Sequence, residues 1–157
     1  MTTKFVSERN LRFLLYDVLE AESLVQYPAF QEHSRETFDI IIDTALKMSR
    51  DLLQPCLREM DQNPPRLVDG QVKVHPAVKA FMTESGDGGW IGVNAPFELG
   101  GQQLPATVTN ACQFAFAAAN YSASVYPLLT AGAAHLILSF GSQELIDAFV
   151  QIGRAHV

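Results

Sequence analysis

The chain has 157 residues, enough for one domain, and 48% of them are hydrophobic against 18% charged. That balance excludes a disordered tail and supplies apolar material for a core. A net charge of −6 without a basic run argues against nucleic acid as a partner.

Ser7 is placed to cap a first helix reaching Glu20, because Leu11, Leu14, Leu15, Val18 and Leu19 recur at helical spacing. Tyr27-Pro28 marks a turn. A longer helix starts near Ser34, with Phe38, Ile41, Ile42, Ala45, Leu46, Ser49, Leu52 and Leu53 on one stripe. Asp39, Asp43, Lys47 and Arg50 form its solvated face. Pro55 kinks or divides that helix, since proline cannot donate to the ladder. It resumes toward Met60 and stops at "NPP", Asn63 to Pro65.

The period then changes. Leu67-Val68 and Val72, Val74 flank Asp69-Gly70, which predicts a small β-hairpin over 67–74. Pro76 suits the first turn of a short helix ending near Glu84. The stretch "IGVNAPFELGGQQLP" reads as a loop.

From Leu99 to Gln143, 45 consecutive residues contain no Asp, Glu, Lys or Arg. Two helices are expected here. Val108, Ala111, Cys112, Ala115 and Ala119 mark the first. Asn120 to Ser122 is a break, with Ser122 as the cap of the second. There, Val125, Leu128, Leu129, Gly132, Ala133, Leu136, Ile137 and Phe140 form a stripe, and the opposite side (Pro127, Ala131, Ala134, Leu138) is also small or apolar. A helix without a polar face is normally buried on both sides, and a chain this short seldom encloses one. The pair therefore implies a further protein surface. A membrane span fits less well, because the clean stretch Val125 to Phe140 is short and is interrupted by Pro127, Thr130, His135 and Ser139. Gly141 ends the helix, and Ser142 caps a last one running to about Gln151. The fold class expected is all-α: a bundle of five to six helices with one hairpin.

Chemistry is sparse. Cys56 and Cys112, 56 residues apart, read as reduced thiols of a cytoplasmic protein. "GDGG" at 86–89 and "LGGQ" at 99–102 lack the strand–loop–helix setting of a phosphate loop. His33, His75, His135 and His156 have no partners at metal-ligand spacing. His135 reads as a hydrogen-bonded core histidine. Trp90 reads as a structural anchor of its loop. No catalytic set is visible, and no metal site is expected. The N-terminus lacks the apolar core of a signal peptide. The last residues, "IGRAHV", match the translation of a common sequencing-adapter oligonucleotide, so Ile152 to Val157 are set aside as an artefact and the natural protein is expected to continue differently beyond Gln151.

Taken together, three stretches resemble one family. "GGWIGVNAPFELGGQQLP" resembles an acyl-CoA dehydrogenase loop in which a G-apolar-G step leads to P-x-x-x-G-G-x-G/Q-L. "YPLLTAGAAHLILSFGSQELIDAFV" resembles the helix that follows in those enzymes, with its G-S/N-x-x-Q/E cap. "LRFLLYDVL" resembles a subgroup with an extra N-terminal helix, similar to methylthiopropanoyl-CoA dehydrogenase. The resemblance covers about Asn10 to Gln151. It departs from many members at "ACQFAFAAAN", where an acidic pair is common.

The resemblance implies an N-terminal extension over 1–33 and a truncated N-terminal helical domain over 34–151. The parent would be an FAD-dependent enzyme oxidising an acyl-CoA thioester to the 2-enoyl-CoA. Its flavin would be bound mainly by later domains, and its catalytic base would lie beyond this chain, leaving the fragment inactive alone. It also implies an electron-accepting flavoprotein as partner, a homo-oligomer at full length and no membrane insertion. Val125, Leu128, Leu129 and Gly132 would line the acyl pocket, with Gly132 leaving it roomier. The alternative is a self-contained helical interaction or oligomerisation module.

Overall fold

The computed structural model describes residues 5–150. The expected helix end at Gln151, the Ile152–Val157 tail and His156 lie outside these residues.

Ser7 caps α1 (Glu8–Arg12) as expected, its hydroxyl accepting from the Asn10 amide at 3.4 Å. The helix continues as a π-helical turn, Phe13–Val18, closed by the Leu19 N–H donating to the Leu14 carbonyl. This widening splits the expected stripe. Leu11 and Leu15 are buried, but Leu14, Val18 and Leu19 are exposed. An i→i+5 turn advances less per residue than an α-turn, so residues three or four apart cease to share a face. Glu20 adopts a left-handed φ of 48°, and two short 3₁₀ turns, Ala21–Gln26 and Pro28–Phe30, lead on.

The longer helix, α2 (Arg35–Met48), opens on a reciprocal box between Ser34 and Thr37 that satisfies amides at its first turn. Its stripe holds: Phe38, Ile42, Ala45, Leu46, Ser49 and Leu53 are buried. Toward Pro55 the helix passes through a π turn (Ser49–Leu53) and a 3₁₀ turn (Gln54–Cys56), then resumes as α3 (Leu57–Gln62). Proline lacks the donor that would keep the ladder in step. Strands β1 (Arg66–Val68) and β2 (Gln71–Lys73) pair antiparallel with Leu67 opposite Val72. Asp69 and Gly70 both take positive φ, 52° and 74°, as a two-residue hairpin turn with matching twist requires. The hairpin is wholly exposed.

Helix α4 (Pro76–Asp87) runs one turn past the expected end near Glu84. The long loop contains a 3₁₀ turn at Phe97–Leu99. Gly101 is obligatory there, because a Cβ would stand 2.0 Å from the Ala95 carbonyl oxygen. Helix α5 (Ala106–Phe140) and a short α6 (Gln143–Leu145), extended by a π turn over Ile146–Val150, complete the described chain. Ser142 caps α6, accepting from the Leu145 amide at 3.4 Å.

The bundle closes where α5 packs against α2 and α4. Phe116 is the hub: Phe81 meets it edge-on at 5.3 Å and Trp90 at 5.1 Å, a geometry that pairs a positive ring edge with a negative face. Leu15, Ile42, Leu46, Leu53 and Cys112 belong to the same cluster. The N-terminal segment is thus part of the core.

Polar contacts reinforce that docking. Arg12 reaches both Asp39 and Asp43, the latter at 2.6 Å, and the Tyr16 hydroxyl donates to Asp39 at 2.9 Å. Asp39 is therefore a half-buried partner of the extension, where the sequence places it on the solvated face. Burial, aided by the Asp39 carboxylate, raises the Tyr16 hydroxyl pKa well above its ordinary value.

Candidate functional site

The two charge-free helices expected from the sequence are one element in hydrogen-bonding terms, with a kink at Asn120 (φ −166°, ψ 93°). Asn120, not Ser122, caps the second half. Its Oδ1 accepts from the Ala123 amide at 3.2 Å. Ser122 is exposed, whereas Asn120 is buried and stands three residues before the amide it satisfies, as a cap must.

Before the kink, Val108, Cys112, Ala115, Phe116 and Ala119 face the core. Beyond it, the side carrying Pro127, Ala131, Ala134 and Leu138 is the more covered one. The other side stands open. Val125 is half-buried, Leu128 is 42% exposed and Leu129 66% exposed, and Leu136 and Phe140 extend the row, Phe140 at 85% exposure. A Cβ built on Gly132 would touch nothing within 4 Å. The four pocket candidates therefore share one apolar, uncovered face of α5. Burial on both sides is not what the described residues provide. His135 is exposed, which corrects its reading as a core histidine. It lies just off the more covered side, where nothing closes over it.

By length and composition α5 qualifies as a membrane span, being longer than the Val125–Phe140 stretch considered from sequence. Its first half, however, is spent in the protein core, and the kink separates the two halves.

The loop before α5 is braced by residues that sequence reasoning left without a role. Gln103 donates from Nε2 to the Ala29 carbonyl at 2.6 Å, and His33 Nε2 contacts the Gln103 carbonyl at 3.2 Å. Both tie the loop to the segment before α2. Asn94 donates to the Leu104 carbonyl and to Thr109 at 2.8 and 3.0 Å, and Gln102 to the Gly88 carbonyl at 3.3 Å. Trp90 anchors the loop on Phe116 as expected. Such long-range bonds leave no mark in local sequence.

A shallow cavity of about 190 Å³ lies beside the kink, lined among others by Met60, His75, Val78, Ser122 and Tyr126. His75 caps α4, its Nδ1 accepting from the Ala77 amide at 3.1 Å, and its Nε2 lies 3.4 Å from Glu59. Cys56 and Cys112 are both free thiols, and burial pushes the Cys112 thiol up to about 12.

The family model for the acyl-CoA dehydrogenase N-terminal domain matches residues 36–151. The chain belongs to the acyl-CoA dehydrogenase family. No curated protein matches it. The acyl-CoA dehydrogenase match begins in the first turn of α2, so the docked N-terminal extension falls outside it. The uncovered face falls inside it, on the second half of α5.

The polar side chains of the glycine-containing loop, Asn94, Gln102 and Gln103, are all engaged within the domain.

Proposed function

We propose that this chain is the N-terminal domain of an enzyme that oxidises an acyl-CoA thioester to the 2-enoyl-CoA, with FAD held by parts of the parent outside these residues. The observation that carries the reading is the uncovered apolar face of α5 within the family-matched segment. Val125, Leu128, Leu129 and Gly132 form one wall of the acyl pocket. An alkyl chain there gains apolar contact on the order of 0.8 kcal/mol per buried methylene. The same wall keeps water from the reacting carbons, which removal of a weakly acidic C–H requires. Gly132 leaves room that a side chain would fill. The proton-abstracting carboxylate belongs to the parent's remainder.

The extension over 1–33 marks the subgroup similar to methylthiopropanoyl-CoA dehydrogenase, and residues 34–151 are the domain proper. An electron-accepting flavoprotein, homo-oligomeric assembly and a cytoplasmic location complete the proposal.

The test uses the source reading frame that contains residues 1–151, expressed and assayed with acyl-CoAs of several lengths and an artificial electron acceptor. Turnover is expected, and Gly132→Leu is expected to shift preference toward shorter chains. A product that binds no flavin and reduces no acceptor with any chain length overturns the reading. The helical interaction module would then account for the exposed face.

A further inference from the structure

Pro55 and Asn120 are far apart in sequence and meet in the fold. Ahead of Pro55 the helix loosens into a π turn, and after it the Leu57 amide bonds to the Gln54 carbonyl. In an unbroken α-helix that amide would go to the carbonyl of Leu53. Leu53 is buried, and within the 3₁₀ turn its carbonyl faces the Cys56 amide, leaving a second lone pair for another donor. Asn120 provides it, with Nδ2 3.3 Å from the Leu53 oxygen and 3.2 Å from the Met60 sulfur. The same side chain accepts from the Ala123 amide and so starts the second half of α5. Asn120 is 1% exposed. One amide therefore ties the turn at Pro55 to the point where another helix begins.

We propose that Asn120 is a positioning residue: held by the Leu53 carbonyl beside the Pro55 turn, it sets the direction of the second half of α5, and thereby the placement of Val125, Leu128, Leu129 and Gly132. The functional part of this inference rests on the reading of that face as the acyl wall. The geometric part does not.

Length makes the kink consequential. From Tyr121 to Phe140 the helix rises about 30 Å. A change of some 20° at its start moves its far end by about 10 Å.

The experiment measures the distance between spin labels on exposed positions, in the 157-residue chain with Lys47→Cys, Ser139→Cys and Cys56→Ser. Asn120→Leu removes both the donor and the cap and is expected to shift or broaden the distance by about 10 Å. Asn120→Ser keeps a cap acceptor and is expected to restore part of the native distribution. If Asn120→Leu does not fold, Pro55→Ala serves. It lets the Leu57 amide compete for Leu53, and a broadened distribution is expected. Native distances in Asn120→Leu, or in Pro55→Ala where that variant is the one measured, overturn the positioning role.

In the enzyme carrying this domain, Asn120→Ser is expected to raise the acyl-CoA KM about tenfold with kcat within about twofold, the pattern of lost binding rather than lost chemistry. A changed label distance with unchanged KM overturns the functional part and leaves the geometry standing.

Discussion

The two halves of α5 have nearly the same composition and opposite surroundings. From Ala106 to Ala119 the helix fills the core with Val108, Cys112, Ala115 and Phe116. From Tyr121 to Phe140 it turns Leu128, Leu129, Leu136 and Phe140 outward. Neither half carries a charge. Lack of charge thus does not by itself say whether a helix is covered by its own domain. The family match covers both halves.

The contrast makes measurable claims. The largest effect is expected at Phe116. Removing the ring in Phe116→Ala strips Phe81 and Trp90 of their partner and leaves a cavity, costing about 3–5 kcal/mol in chemical denaturation. A loss near that of a surface change would erase the distinction between the halves.

Next comes Cys112, on the buried half. Its folded pKa, about 12, stands above the ordinary thiol value of 9.0. The folded state therefore holds the proton more tightly than the unfolded one, and the stabilisation is fully present below pH 9. Stability should fall between about pH 9 and 12, by up to about 1.4 kcal/mol per pH unit. Cys112→Ala should flatten that alkaline slope in urea titrations at stepped pH. An unchanged slope would mean that the thiol is not shielded. A thiol reagent at pH 8 should likewise modify partly buried Cys56 and spare Cys112 until unfolding.

The smallest effect is expected on the open half. Leu129→Lys should alter the stability of the chain by no more than about 0.5 kcal/mol, because the side chain has little packing to lose. Destabilisation beyond about 2 kcal/mol would show that this face is covered within the chain.

Much of the local structure was legible because its causes are local. Ser7, Ser34 and Ser142 cap where their hydroxyls reach amides three residues on. Asp69-Gly70 turns because both residues accept positive φ, and Pro76 begins a helix that costs it no hydrogen bond. The break in the charge-free stretch was also legible, though its cap was misplaced by two residues. Choosing Asn120 over Ser122 depends on Leu53, 67 residues earlier, which no local pattern encodes. The exposure of Leu14, Val18 and Leu19 was hidden by a π turn, since a 3.6-residue template assumes an even pitch. Asp39 looked solvated because its partners, Arg12 and Tyr16, come from another element.

The pocket candidates were found by pattern and resemblance, and the fold places them together on one open face. The sequence by itself determined which segments are helical, where most of them start and that one pair is uncharged, because capping, periodicity and proline chemistry act over a few residues. Only the tertiary structure decided which half of that pair the domain covers itself, and that Asn120 and the Pro55 defect are one feature, because burial and hydrogen-bond completion are settled between segments that meet only in the folded chain.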